Sequence, residues 1–344
     1  MQAYPESRET FADVLIEPAY SDILHRGKVD TASWIGRLRL DLPIFSANMR
    51  HITEAKMCKA MSEWGASGII HRFMTVEQAV SEYKLARKLC GGKAVIGVSL
   101  GVNEVDKERF AALREAGAGF FCIDVAHGHH VLVKNMLQWI RKETDCDKKK
   151  APVLMAGNIA TWEAAMDLYG WGADIVKAGI GPGSSCATRK NAGVGVPQLY
   201  AIRTIREKTE KSCHIPLVSD GGISDTGDIP KALKYADAVM VARLVAGTAE
   251  TPGLVYENER GELYKVFGGS ASGENKVATG QDNNFVEGNL KLVPFIGHVK
   301  YVLKKSKEMV QTSFSYVGAR NINEFRKNAQ LYRHTSGSRI ESKI

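Results

Sequence analysis

The stretch "ADIVKAGIGPG", residues 173–183, reads as one short β-strand that delivers a glycine-rich turn. Its apolar run is too brief for a helix, is rich in β-branched residues and is bounded by turn formers, as expected of a strand buried on both faces. The same design recurs on either side. Upstream stand "LPIFSANM" (42–49), "ASGIIHR" (66–72), "KAVIGVSLG" (93–101), "GFFCIDVAHG" (119–128) and "APVLMAGN" (151–158). Downstream follow "IPLVSDGG" (215–222) and "DAVMVARLVAG" (237–247). Longer segments with helical spacing separate them, among them "TWEAAMDLYGWG" (161–172) and the proline-led "VPQLYAIRTIREKTEK" (196–211). Eight such units predict an α/β fold, a closed (β/α)8 TIM barrel forming a single domain over 1–344. An open doubly wound sheet is the alternative, but the chain lacks the early G-x-G-x-x-G turn and ribose-binding acid of that architecture.

Composition narrows the function classes. The 344 residues are 44% hydrophobic and 24% charged, as in ordinary globular proteins. No run approaches the roughly 20 apolar residues of a membrane span, and the first residues lack a basic region followed by an apolar one. The six cysteines are scattered, without C-x-x-C pairs or zinc-like spacing, which fits a reducing cytoplasm. The net charge of +8 suits anionic small molecules. Nucleic acid is not expected, because the basic clusters at 148–150 and 304–307 are short and no base-reading motif accompanies them.

In such barrels the reactive groups lie at the C-terminal ends of the strands. Polar and glycine-rich residues fall there in this chain: Asn48 and Met49, His71 and Arg72, Asp124, Asn158, residues 181–188 and residues 220–222. Cys186 sits in "AGIGPGSSCATRKNAGVG", where glycines allow close backbone approach to a ligand and Arg189 and Lys190 would favour a thiolate if they faced it. Cys122, inside an apolar run, reads as a core residue. "SDGGIS" (219–224) and "VARLVAG" (241–247) occupy the usual phosphate position after strands seven and eight, with Asp220 suited to ribose hydroxyls. The histidines of "DVAHGHH" do not have metal-ligand spacing. The polar stretch from Gly268 to Asn289 predicts a mobile flap, with Glu287 as a proton-transfer group. Residues 330–344 read as a C-terminal tail.

In order and on these strands, "SANM", "IIHRFMTVEQ", "CIDVAHGH", "AGNIAT", "VKAGIGPGSSCATR", "GVGVPQL" and "SDGG" resemble the family of IMP dehydrogenases and GMP reductases. The step from Ile70 to Ala94 is one helix long, leaving no room for inserted CBS domains, and residues 268–287 hold neither arginine nor tyrosine; both features look like the reductase branch. The resemblance implies a homotetrameric, NADPH-dependent reductase acting on a purine nucleoside monophosphate, GMP to IMP. It makes Cys186 the nucleophile, with Thr188 and Glu287 managing protons. It places Met49, Ser184, Asp220, Gly221, Gly222 and Ser270 around the nucleotide, and Asp124 and Asn158 at the nicotinamide. It also implies a potassium ion on the backbone carbonyls of Gly181, Gly183 and Cys186. Four features depart from the family pattern: Arg50 in place of an acid, Arg72 in place of the reductase lysine, "GGSAS" in the base-reading loop, and Ala242-Arg243 in place of a glycine-containing pair. "HGH" and "HRFM" look closer to the dehydrogenase branch. Arg243 then either binds phosphate with its own side chain or marks a different nucleotide. The alternatives are an IMP dehydrogenase-like enzyme, a reductase of a modified purine nucleotide, and a non-catalytic nucleotide-binding protein.

Overall fold

The apolar runs become strands because a barrel interior and a ring of helices cover both of their faces. A computed structural model describes residues 8–92, 94–144, 151–269 and 290–341. The chain enters through β1 (Val14–Glu17) and a hairpin of β2 (Ser33–Ile35) and β3 (Leu38–Leu40). Eight strands follow, one from each run: β4 (Ile44–Ser46), β5 (Ser67–Ile70), β6 (Ile96–Leu100), β7 (Phe120–Asp124), β8 (Val153–Ile159), β9 (Ile175–Ala178), β10 (Leu217–Asp220) and β11 (Ala238–Val241). They pair in parallel, in chain order, and β11 closes on β4. Every residue of β4, β5, β6, β9 and β11 is buried.

Between the strands run α1 (Ala55–Ser62), α2 (Val76–Leu89), α3 (Glu104–Glu115), α4 (Val131–Thr144), α5 (Trp162–Gly170), the one-turn α6 (Thr188–Asn191), α7 (Gln198–Thr209) and α8 (Asp228–Leu233). Their starts follow local chemistry. Thr75 caps α2 by accepting from the Gln78 amide while Gln78 answers to the Thr75 amide at 2.9 Å, a reciprocal arrangement in which a cap of this kind contributes about 1 kcal/mol. Pro197 stands at the N-cap of α7. A long helix, Val299–Tyr316, completes the ring.

Two additions lie outside the barrel. After β11, β12 (Tyr256–Glu257), β13 (Leu263–Gly268) and β14 (Leu290–Pro294) form an antiparallel sheet whose last two strands bracket residues 270–289. Most of the expected flap, with Ser270 and Glu287, therefore lies outside the described residues. The stretch read as a tail holds β15 (Gln330–Arg333), which pairs with β1, and a helix, Ser336–Glu341. Glu9 fastens the two chain ends to the barrel, accepting from Arg203 of α7 at 2.7 Å and from Arg333. Among the described residues, no helix is long and apolar enough to cross a membrane.

Candidate active site

Parallel pairing places Asp124 opposite Gly157, and Gly157 opposite Lys177, at the C-terminal end of the barrel. The Lys177 side chain is only 1% exposed, and its Nζ donates to Asp124 Oδ1 at 2.8 Å, to Asp220 Oδ2 at 2.6 Å and to Asn158 Oδ1. Asn158 Nδ2 donates in turn to Asp220 Oδ2 at 2.9 Å and to the Gly179 carbonyl at 2.7 Å. Four neighbouring strands, β7 to β10, are thus tied through one ammonium group.

The electrostatics follow from that sharing. Burial alone would strip the proton from Lys177, but the Asp124 and Asp220 carboxylates outweigh it and raise its pKa well above the usual lysine range. Burial would likewise raise the Asp124 carboxyl; the adjacent Lys177 charge, with Arg72 and a bond to Asn48, instead holds it below its ordinary value. Cys122, on the same strand as Asp124 and fully buried, has its thiol pushed far up by desolvation and belongs to the core, as expected.

Above this floor opens a cleft of about 440 Å³, lined by Met49, Arg72, Asp124, Asn158, the 179–186 loop, Thr188, Asp220 to Ser224 and Arg243. Its volume is in the range of small-molecule sites. The thiol of the exposed Cys186 donates to Thr188 Oγ1 at 3.1 Å, and its amide closes a turn on the Gly183 carbonyl at 3.0 Å. Two glycines, Gly179 and Gly181, are sterically required. A Cβ on Gly181, which has φ +88°, would lie 2.7 Å from Arg189 Cγ, and one on Gly179 would lie 1.9 Å from the Asp220 carbonyl oxygen. Arg189 lies across Gly181 and Gly195, and its Nη2 donates to the Val196 carbonyl at 2.6 Å, so it braces the loop. From β14, Lys291 holds the Ser184 carbonyl at 2.5 Å.

The turn after β10 leads into α8. The amides of Ser224 and Asp225 bond to the Asp228 carboxylate at 3.0 and 3.2 Å, which commits these two donors within the protein. Gly221 and Gly222, both at positive φ, pack against Pro182 and Gln198, and the exposed Arg243 lines the cleft as its cationic group there.

Comparison with known proteins gives the family. The IMP dehydrogenase / GMP reductase domain profile matches residues 8–344. The chain belongs to the IMP dehydrogenase/GMP reductase family. It is similar to the GMP reductase of Acidovorax sp. (strain JS42), 33% identical over 322 residues that make up 92% of this chain and 93% of that one. It is 34% identical to the GMP reductase of Streptococcus suis (strain 98HAH33) over 315 residues, 91% of each. Among solved structures it resembles a cysteine-to-alanine GMP reductase from Trypanosoma brucei in complex with guanosine 5'-monophosphate, at a TM-score of 0.88 and 25% identity over 99% of this chain and 98% of that one.

As a member of the IMP dehydrogenase/GMP reductase family, the chain gathers Met49, Asp124, Asn158, Ser184, Cys186, Thr188, Asp220, Gly221, Gly222 and Arg243 around one cleft. Lys177 was not singled out in the sequence, although a lone lysine within an apolar barrel strand was the available signal. Lys291 carried no local signal, because its partner Ser184 is 107 residues away.

Proposed function

We propose that the protein reduces guanosine 5'-monophosphate to inosine 5'-monophosphate and ammonia with NADPH, through a covalent bond to Cys186. The observation that carries this reading is a cysteine on a tightly turned loop, hydrogen-bonded to Thr188, at the mouth of a cleft whose floor is a charged Lys177–Asp124–Asn158–Asp220 cluster. Similarity to proteins named GMP reductase supports the same assignment.

The Cys186 thiolate adds to C2 of the purine, and the amino group on C2 takes a proton and leaves as ammonia, so the nucleotide stays bonded through sulfur. Covalent capture divides one difficult substitution into two easier steps. Thr188, 3.1 Å from the sulfur, is placed to relay the proton, and Glu287, outside the described residues, is its assigned partner. Bound NADPH supplies the hydride that takes the sulfur's place at C2. The cleft suits such a cofactor: Asp124 and Asn158 line it with oxygen acceptors for a carboxamide N–H, and the buried Arg72 Nε has no hydrogen-bond partner among the described residues.

Asp220 holds the ribose, Ser184, Gly221 and Gly222 frame the phosphate, and Arg243 supplies its counter-charge, with Met49 and Ser270 beside the base. A potassium ion on the carbonyls of Gly181, Gly183 and Cys186 would brace the loop, and the working form is a cytoplasmic homotetramer. Intact-mass analysis after mixing with GMP alone tests the covalent step. A nucleotide adduct on the wild type but not on Cys186→Ala is expected; adduct on both, or on neither with no ammonia released, would overturn it.

A further inference from the structure

We propose that Lys177 is a positioning residue that couples the two halves of the cleft, orienting Asp220 toward the nucleotide ribose and Asp124 with Asn158 toward the reduced nicotinamide. The names of the two ligands rest on the function proposed above; the junction itself rests on geometry. A lysine inside a barrel strand is an unfavourable core residue, since taking an ammonium out of water is costly before any partner is counted. An apolar side chain would fill the same space. A structural ion pair would need one counter-ion, yet this ammonium meets two carboxylates and an amide, from β7, β8 and β10. Both carboxylates are open to the cleft, at 15% and 20% side-chain exposure, whereas Lys177 at 1% is closed off from it. Lys177 therefore acts through its partners.

The charged and titratable groups facing Asp124 are few. Arg72 approaches from the turn after β5, Cys122 lies on β7, Lys177 on β9 and Asp220 on β10, with the uncharged Asn48 and Asn158 completing the surround. Without Lys177, two carboxylates would remain close together with Arg72 as the remaining cation. Two such groups share a proton and titrate as a pair, one of them well above the ordinary range. The protonated member would turn from acceptor to donor and lose its orientation.

The test compares Lys177→Met and Lys177→Arg with the wild type as full-length proteins, each checked for native circular dichroism. Carbon-13 NMR of the aspartate carboxyls, assigned with Asp124→Asn and Asp220→Asn, follows their titration without any nucleotide. In Lys177→Met one carboxyl should titrate at least one pH unit higher than in the wild type, and in Lys177→Arg neither should move. In parallel, the affinity for NADP+ is measured with and without GMP. A wild-type ratio of at least fivefold should fall to near unity in Lys177→Met, with kcat reduced at least 100-fold and a new acid limb in its pH profile. Unchanged carboxyl titrations in Lys177→Met, or an undiminished ratio, would overturn the proposal. If Lys177→Met does not fold, shifted carboxyls in a folded Lys177→Arg would do so. A wild type inert toward GMP and NADPH would sink the proposed function alone, since the carboxyl titrations would still decide the junction.

Discussion

Replacing Gly179 with alanine should damage catalysis more than stability, and the structure supplies the size of the effect. The added methyl would sit 1.9 Å from the Asp220 carbonyl oxygen and 3.0 Å from its carbon, both backbone atoms that cannot rotate away. A comfortable carbon–oxygen contact is about 3.3 Å, so the ends of β9 and β10 must part by roughly 1.4 Å. The Gly179 amide is bonded to the Ile159 carbonyl at 2.8 Å, and its own carbonyl receives Asn158 Nδ2 at 2.7 Å. The displacement therefore passes to Asn158 and Asp220, and through the following loop to Cys186. Misplacing reacting groups by about 1 Å costs on the order of 100-fold in rate, while overpacking of this kind costs about 1–3 kcal/mol of stability. Gly179→Ala should thus lower kcat/KM for GMP about 100-fold and the apparent melting temperature by a few degrees. Gly119→Ala is the control, because its methyl meets open space. Steady-state kinetics and thermal melts of both variants check the reasoning. A Gly179→Ala protein within threefold of wild-type kcat/KM would refute the idea that this close backbone approach sets the site.

Cys186→Ala should abolish turnover while nucleotide affinity, measured by calorimetry, stays within a few-fold of wild type, since the exposed thiol contributes chemistry and little packing. Asp237→Asn should destabilise without reducing activity per folded molecule, because Asp237 precedes β11 at the far end of the barrel from the cleft. There it is buried, accepting from Arg206 and Arg326 at 2.8 Å each, and disrupting a buried pair costs about 3–5 kcal/mol. Burial opposes ionisation of Asp237, but a bond to His214 and the two arginines hold its carboxyl well below the usual range. Its contribution is then complete above the unfolded value of about 3.9 and lost as pH falls through the depressed folded value, so the gap between wild-type and Asp237→Asn melting temperatures should narrow in acid below about pH 4. Gly170→Ala, in the last turn of α5 with nothing within 4 Å of the new methyl, should raise stability by about 0.4–1 kcal/mol in denaturant unfolding.

The barrel was legible because each of its strands is covered on both faces, which writes an uninterrupted apolar run into the chain, as in "IPLVSDGG" around β10. Short pairings between distant segments leave no such mark. β1 and β15 join residues more than 300 positions apart, and neither has a partner within its own neighbourhood to impose a period. In the cleft, Cys186 was legible because loops that fold tightly need glycines, and the need shows at Gly179 and Gly181. Lys177 was hidden by the apolar residues around it, because strand patterning records what faces the core on average and not the one position that carries charge. The bonds from the Ser224 and Asp225 amides to Asp228 were not legible, because which amides its carboxylate takes depends on the fold of the turn and leaves no mark in the sequence.

The most direct measurement is the loss of reduced-nicotinamide absorbance when the purified protein is mixed with NADPH and GMP, with ammonia and nucleotide products assayed alongside and IMP plus NAD run in parallel. The account predicts NADPH oxidation matched by ammonia and IMP, absent in Cys186→Ala. Silence with NADPH and GMP, or formation of xanthosine monophosphate from IMP and NAD, would contradict it.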